Sequence, residues 1–319
     1  MNAIFKICIS AVLLAAVDFN PCLLAQNYTA RLDLQQSTDG LSSWQRVPMT
    51  AGMLNNGSVD LSVTSSSAFY RLKVEVVQKP TPTTTLISVT GGTLPTSSSL
   101  GNRIVASFRI EKYEVTWDEW QVVRAWAVVN GYSTLASGLG SAGNHPVRQV
   151  SWNDVVMWCN ARSERDGLTP VYQVQVSQFS WSVYRGGSSV PTVNSSANGY
   201  RLPSEAEWEW AARGGLSSQG YTYSGSNDVN AVAWYSSNSG GGTKVVGTKA
   251  ANELGIYDMS GSVAEWCWDI YDPLYAARCI RGGSWLYTMS QCAVAHRVRN
   301  SDPRNRDYDI GFRLARNAP

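Results

Sequence analysis

Histidine is almost missing from this chain, with two in 319 residues, His145 and His296. A non-haem iron centre needs about three imidazole or carboxylate ligands, so two isolated histidines argue against one. Charge is sparse too. Charged residues make up 16% of the chain, the formal net charge is +2, and no run of Lys and Arg exceeds two residues. That excludes the basic footprint of a nucleic-acid binder. Phenylalanine is scarce, six against 13 Trp and 15 Tyr. Such amphipathic rings suit half-buried positions in loop-rich folds, where the ring packs while its N–H or O–H finds a partner. Long apolar runs are also lacking. The run from Ile7 to Val17 is too short for a membrane span.

What that run does fit is an export signal. A lysine precedes it, Ala25 offers a small residue for cleavage, and polar sequence follows, so residues 1–25 are expected to be a signal peptide. The mature chain is then exported, with no transmembrane span, to the periplasm, the cell surface or the medium. Four cysteines remain after cleavage: Cys159, Cys267, Cys279 and Cys292. An oxidising compartment permits disulfides, and four thiols leave three complete pairings open.

Residues 27–77 alternate apolar and polar side chains (Leu32 and Leu34; Val59, Leu61 and Val63; Tyr70, Leu72 and Val74), with a hairpin signal at Asn56-Gly57. This pattern predicts a small antiparallel β module. It holds no His, no Cys and no acidic cluster, which points to a spacer or adhesion role. QKPTPTTT at 78–85 reads as a Pro/Thr linker. From residue 86 onward short strands, Gly/Ser/Asn loops and two helices are expected. One starts at Ser151 or Asn153 and stops at Gly167. The other runs from Ser204, with Glu207 as its capping-box partner, to Gly214.

Six segments lie in order over about 210 residues: FRIEKYEVT from Phe108, HPVRQVSWND from His145, GYRLPSEAEWEWAARGG from Gly199, NELGIYDMSGSVAEW from Asn252, RGGSW from Arg281 and GFRL from Gly311. Together they resemble the formylglycine-generating enzyme, or sulfatase-modifying factor, family. The resemblance spans roughly residues 86–317 and implies an α+β fold for the domain 86–319. This would be a C-type-lectin-like domain of the formylglycine-generating type, with two helices and much irregular structure.

The resemblance also sets the chemical question. Active relatives hold Cu(I) between two cysteines, one three residues after the Ser of Arg-Gly-Gly-Ser and one five further on. Here Ser284 is followed three residues later by Tyr287, and an ungapped count puts Cys292 at the second place. The spacing from Cys292 to Arg297 equally fits the Cys-x4-Arg of shorter-loop relatives that lack the copper pair. Cys292 is the candidate catalytic thiol, but one thiolate cannot make a bis-thiolate site, and copper is not expected. Calcium is implied by the family's use of loop oxygens around its Gly-Asn-Val-Trp-Glu-Trp motif. Here the motif reads GSVAEW, with Ser262 replacing Asn and Glu265 kept, and Asn230 offers oxygens for a second such site. Glu265 is equally open to serving as a helix cap or an arginine partner.

Trp266, Ser284, Trp285, Tyr287, His296, Arg297 and Arg299 fall in motifs that line the substrate groove in the family. Aromatic faces and Arg donors suit a peptide or a glycan. Three functions remain open: a non-catalytic binding module for peptide or glycan, an active oxidase with an altered site, and a structural or adhesion protein. The relatives' usual partner for a helix thiol like Cys159 is replaced by Leu314. Cys159 is therefore expected free and buried, with Cys267–Cys279 as the expected disulfide.

Overall fold

In a computed structural model, residues 85–318 are described apart from 188, 273 and 275, and apart from the side chains of 272 and 298–300. Before residue 85 the backbone of the strands alone is described. The expected leader, the Asn56-Gly57 turn and the Pro/Thr linker fall largely outside these residues. The chain divides into two compact units, Met1–Pro82 and Thr83–Pro319. In the first, strand Tyr28–Ser37 pairs antiparallel with Phe69–Gln78 along its whole length, from Tyr28 opposite Gln78 to Ser37 opposite Phe69.

The second unit carries three small sheets of three or four strands and a two-stranded ribbon that pairs Gly92–Thr93 with Ile104–Val105. β1 (Leu86–Val89) and β2 (Phe108–Glu111) join β10 (Ala315–Asn317), with β2 in the centre and antiparallel to both neighbours. β3 (Tyr172–Ser177) lies between β4 (Ser180–Val183) and β5 (Thr192–Val193). The third sheet runs in the order β8 (Val298–Ser301), β7 (Ala277–Arg281), β6 (Ala264–Asp272), β9 (Ile310–Gly311). Only its β6–β9 pair is parallel.

Four helices are present among the described residues, not the two expected. α2 (Trp152–Arg165) and α3 (Glu205–Ala212) start at Ser151 and Ser204, and both caps are reciprocal capping boxes, with Asp154 and Glu207 as partners. The helices missed are α1 (Trp117–Val129) and the single turn α4 (Val229–Val232). α1 escapes a periodicity reading because Trp and Val occur all round it. Its buried stripe of Glu119, Trp120, Val123 and Ala127 nevertheless has helical spacing. Thr116, whose side chain accepts from the Glu119 amide, is its cap.

Two packed regions follow. In the first, Trp120 of α1 stacks on Trp158 of α2 with ring centres 5.7 Å apart, and Phe312 stands edge-on to both at 5.9 and 5.3 Å. The second gathers α3 with the β1/β2 sheet around Trp208, Trp210, Phe108, Met259, Cys267 and Cys279. Between them run buried ion pairs. Arg281 donates to Glu209 at 2.6 Å, and Arg313 reaches Glu265 through Nε and Nη2 at 2.7 and 2.6 Å. Both guanidiniums have no exposed surface. Trp208 adds a 2.7 Å hydrogen bond to the same Glu265 carboxylate. Burial and neighbouring carboxylates push Glu114 well above the usual range, and burial raises Asp258 to about 6.

Removing one partner of a buried pair strands the other charge, at about 3–5 kcal/mol. Arg313→Met is therefore expected to lower the unfolding free energy by about that much. The exposed Arg304–Asp302 pair is a control, since Arg304→Ala is expected to leave the midpoint unmoved. Urea unfolding followed by tryptophan fluorescence decides it, and equal midpoints for the two variants would refute the structural role given to Arg313.

Candidate functional site

The loop after β7 bends through Gly282 and Gly283, both at positive φ (92° and 74°). Gly283 is needed for closeness as well as for the turn. A Cβ there would stand 2.9 Å from Cys292 Sγ. Cys292 is thus sealed beneath the Arg-Gly-Gly-Ser turn, in a small core with Tyr223, Val229, Val232, Ala233 and Tyr235. Burial pushes its thiol up to about 12, against the opposing pull of the Gly261 and Ser284 amides. A thiol so held is neither nucleophile nor ready ligand at neutral pH.

Other expected site residues serve the scaffold. Trp266 is fully buried and donates to the Val150 carbonyl at 2.9 Å. Arg297 grips Glu205 with two hydrogen bonds of 2.7 and 2.8 Å and lies over the Tyr271 ring at 4.5 Å. His296 is half-buried and gives its carbonyl to Arg281 at 3.0 Å, while burial and the same guanidinium lower its pKa. Arg299 sits on β8, and its side chain lies outside the described residues.

Ser284, Trp285 and Tyr287 do come together. Ser284 donates to Asp309 at 2.8 Å, and the Tyr287 amide closes a turn on the Ser284 carbonyl at 3.0 Å. Trp285 meets Tyr308 with ring centres 6.2 Å apart. Beside them opens a cleft of ≈ 500 Å³. Ile280, Leu286, Tyr287 and Ile310 give it apolar walls, and Ser301, Asn305, Asp307, Tyr308 and Asp309 give it polar ones. Burial, with Asp307 nearby, raises the Asp309 carboxyl above its ordinary value even though Ser284 donates to it. The 305–310 wall was missed in the sequence. Its one signal is Tyr308, a lone aromatic in a charged stretch just before the Gly-Phe-Arg-Leu motif.

The cysteine pairing also needs correction. All four cysteines of this unit are free and buried, Cys159 as expected and Cys267 and Cys279 against expectation. The Cys279 thiol donates to Glu205 at 3.3 Å and its sulfur accepts from Arg297 at 3.8 Å, while the Cys267 thiol contacts the Glu265 carbonyl on its own strand. The two thiols are near neighbours in the second packed region, with no bond between them.

Residues 73–318 match the family model of the sulfatase-modifying factor enzyme 1-like domain. The chain belongs to this family. It is 36% identical to "Chaperone protein LppX" of Paenibacillus barcinonensis, over 72% of this chain and 89% of that protein. Over 55% of this chain and 54% of the relative, it is 30% identical to a formylglycine-generating enzyme of Streptomyces coelicolor. Among solved structures, CarF superposes with a TM-score of 0.65 at 31% identity, covering 74% of this chain and 98% of that one. Treponema denticola variable protein 1 does so at 0.59 and 32%, covering 73% and 95%. These similarities establish the C-type-lectin-like, formylglycine-generating type of fold.

Among the described residues, the positions singled out for copper and calcium are committed to other partners. Tyr287 stands at the place of one copper thiolate, and Cys292 is sealed. The remaining three thiols belong to the packed regions around α2 and α3. For calcium, Glu265 is spent on Arg313 and Trp208, and Ser262 donates to Glu114 at 2.8 Å. Asn230 accepts from Tyr235 at 3.2 Å, and its carbonyl already receives the Lys249 ammonium. A cation thus occupies the oxygen that a calcium would use.

Iodoacetamide treatment of the native protein at mildly alkaline pH is expected to leave Cys159, Cys267, Cys279 and Cys292 unmodified, whereas denatured protein reacts at all four. Mass spectrometry of the peptides checks this. Rapid labelling of Cys292 in the folded protein would contradict the sealed-thiol geometry.

Proposed function

We propose that this domain is a non-catalytic, exported binding module that holds an extended polypeptide segment in the cleft beside Tyr287 and Tyr308. One observation carries the reading. Where the family's copper-binding loop would present a thiolate, this chain presents the Tyr287 ring as a wall of an open cleft, with its single nearby thiol shut away. The cleft volume falls within the range of small-ligand sites. Its mixture of apolar side chains, phenol rings and carboxylates suits side chains and backbone amides together. Tyr308 is 53% exposed and Leu286 39%, so both can be covered by a ligand. The similarity to a protein named as a chaperone supports polypeptide over glycan, and the apolar segment after the first lysine supports export.

Selection of short random peptides on the immobilised protein is expected to enrich binders, and Tyr308→Ala is expected to weaken them about tenfold, near 1.4 kcal/mol. A Cys-x-Pro-x-Arg peptide incubated with the protein, copper and oxygen is expected to keep its mass. A loss of about 18 Da, thiol to aldehyde, would make the domain an oxidase instead. Absence of enrichment, or equal retention by Tyr308→Ala, would refute the binding role given to the cleft.

A further inference from the structure

A second cluster lies outside the cleft, where the segment 141–148 meets the glycine-rich loop 239–244. The His145 ring nitrogen Nδ1 lies 3.0 Å from Thr243 Oγ1, and that hydroxyl lies 3.1 Å from Ser141 Oγ. Arg148 Nη2 donates to Ser141 Oγ at 3.4 Å and Nη1 to the Tyr308 carbonyl at 3.3 Å. Lys244 folds back over the loop, so that a side chain at Gly240 would meet its ammonium 3.7 Å away. Gly240 and Gly241, with φ of 65° and 78°, make that turn.

These groups share a surplus of positive charge. Among the described residues neither Arg148 nor Lys244 forms an ion pair with a carboxylate. The Arg148 guanidinium is met by neutral oxygens at long range, and its Nε hydrogen has no acceptor. Asp118, on the first turn of α1, packs against Gly143 but pairs with neither. Burial lowers the pKa of His145, and the positive charges of Lys244 and Arg148 lower it further. Two cations acting on one imidazole, neither paired with a carboxylate, are an arrangement that a bound anion complements, and charge-assisted hydrogen bonds to oxyanions are strong.

We propose that His145, Arg148 and Lys244, with the Ser141 and Thr243 hydroxyls, form a binding site for a tetrahedral oxyanion, a phosphate or sulfate group. Arg148 supplies the fork, Lys244 a point charge and His145 the imidazole, while the hydroxyls between them can turn their hydrogens toward the ligand. The site does not depend on what the cleft holds. It is joined to the cleft through the Tyr308 carbonyl and through Ser239, which donates to the Trp285 carbonyl at 3.0 Å. An oxyanion bound here would be felt at the aromatic rim.

The chain's two histidines make the test clean, because His296 is an internal control beside Arg281. Proton NMR of the ring hydrogens is followed while sodium sulfate or inorganic phosphate replaces chloride at constant ionic strength. The expected result is a saturable shift of the His145 signal, half-complete on the order of millimolar, with His296 unmoved. Arg148→Gln with Lys244→Gln is expected to weaken it about tenfold or more. Phosphoserine and a 6-sulfated sugar tell whether the group is taken from a carrier. Tighter binding of one names the carrier, and equal binding of all names the free ion. An unsaturable drift of both histidines, or a His145 shift undiminished in a double variant whose His296 signal shows it folded, would overturn the proposal.

Discussion

Two guanidiniums without solvent contact, Arg281 and Arg313, set the terms for everything around them. A buried arginine has to be met by carboxylates at fixed positions, since a stranded charge costs more than most side-chain contacts contribute. Glu209 and Glu205 of α3 answer Arg281, and Glu265 of β6 answers Arg313. The opposing residues are also neighbours in the sheet, because Glu265 pairs in register with Arg281. One helix, two strands and the C-terminal Gly-Phe-Arg-Leu segment are thereby fixed to one another. The cleft then hangs from the ends of these fixed pieces.

This arrangement explains why the motifs carrying the family resemblance say more about the scaffold than about chemistry. Glu205, Glu209, Glu265, Arg281 and Arg313 all lie in the recognised segments, and all are consumed by internal pairing. Trp266 and Arg297 follow the same pattern. The departures are located where chemistry would be: Tyr287 in place of a thiol, and a cysteine closed beneath a glycine turn. The scaffold residues of the family are thus present, while the edge of the cleft carries aromatic side chains.

What could be read from the sequence followed local physics. α2 and α3 were legible because each begins with a serine whose reciprocal acidic partner is three residues on, a signal that needs no tertiary context. α1 was not legible, because its tryptophans and valines face several packed neighbours and blur the apolar stripe. Its Thr116-to-Glu119 spacing was the available clue. The Tyr287 side of the cleft was readable from the Arg-Gly-Gly-Ser turn. Its Asp307–Asp309 half was not, since that stretch has no period and owes its position to β9 pairing parallel with β6. The expected disulfide misjudged Cys279, whose surroundings are set by Glu205 and Arg297, residues far away in sequence.

That parallel pair has one more consequence. Ser301 ends β8 and Ile310 begins β9, two strands of one sheet, so the short segment between them, one wall of the cleft, leaves and rejoins the same rigid frame. The entropy of closing such an excursion grows only slowly, by roughly 0.6 kcal/mol for each doubling of its length. Lengthening, shortening or rewriting it therefore perturbs the frame little. Such a layout lets the wall of the cleft be redrawn while the folded body stays as it is.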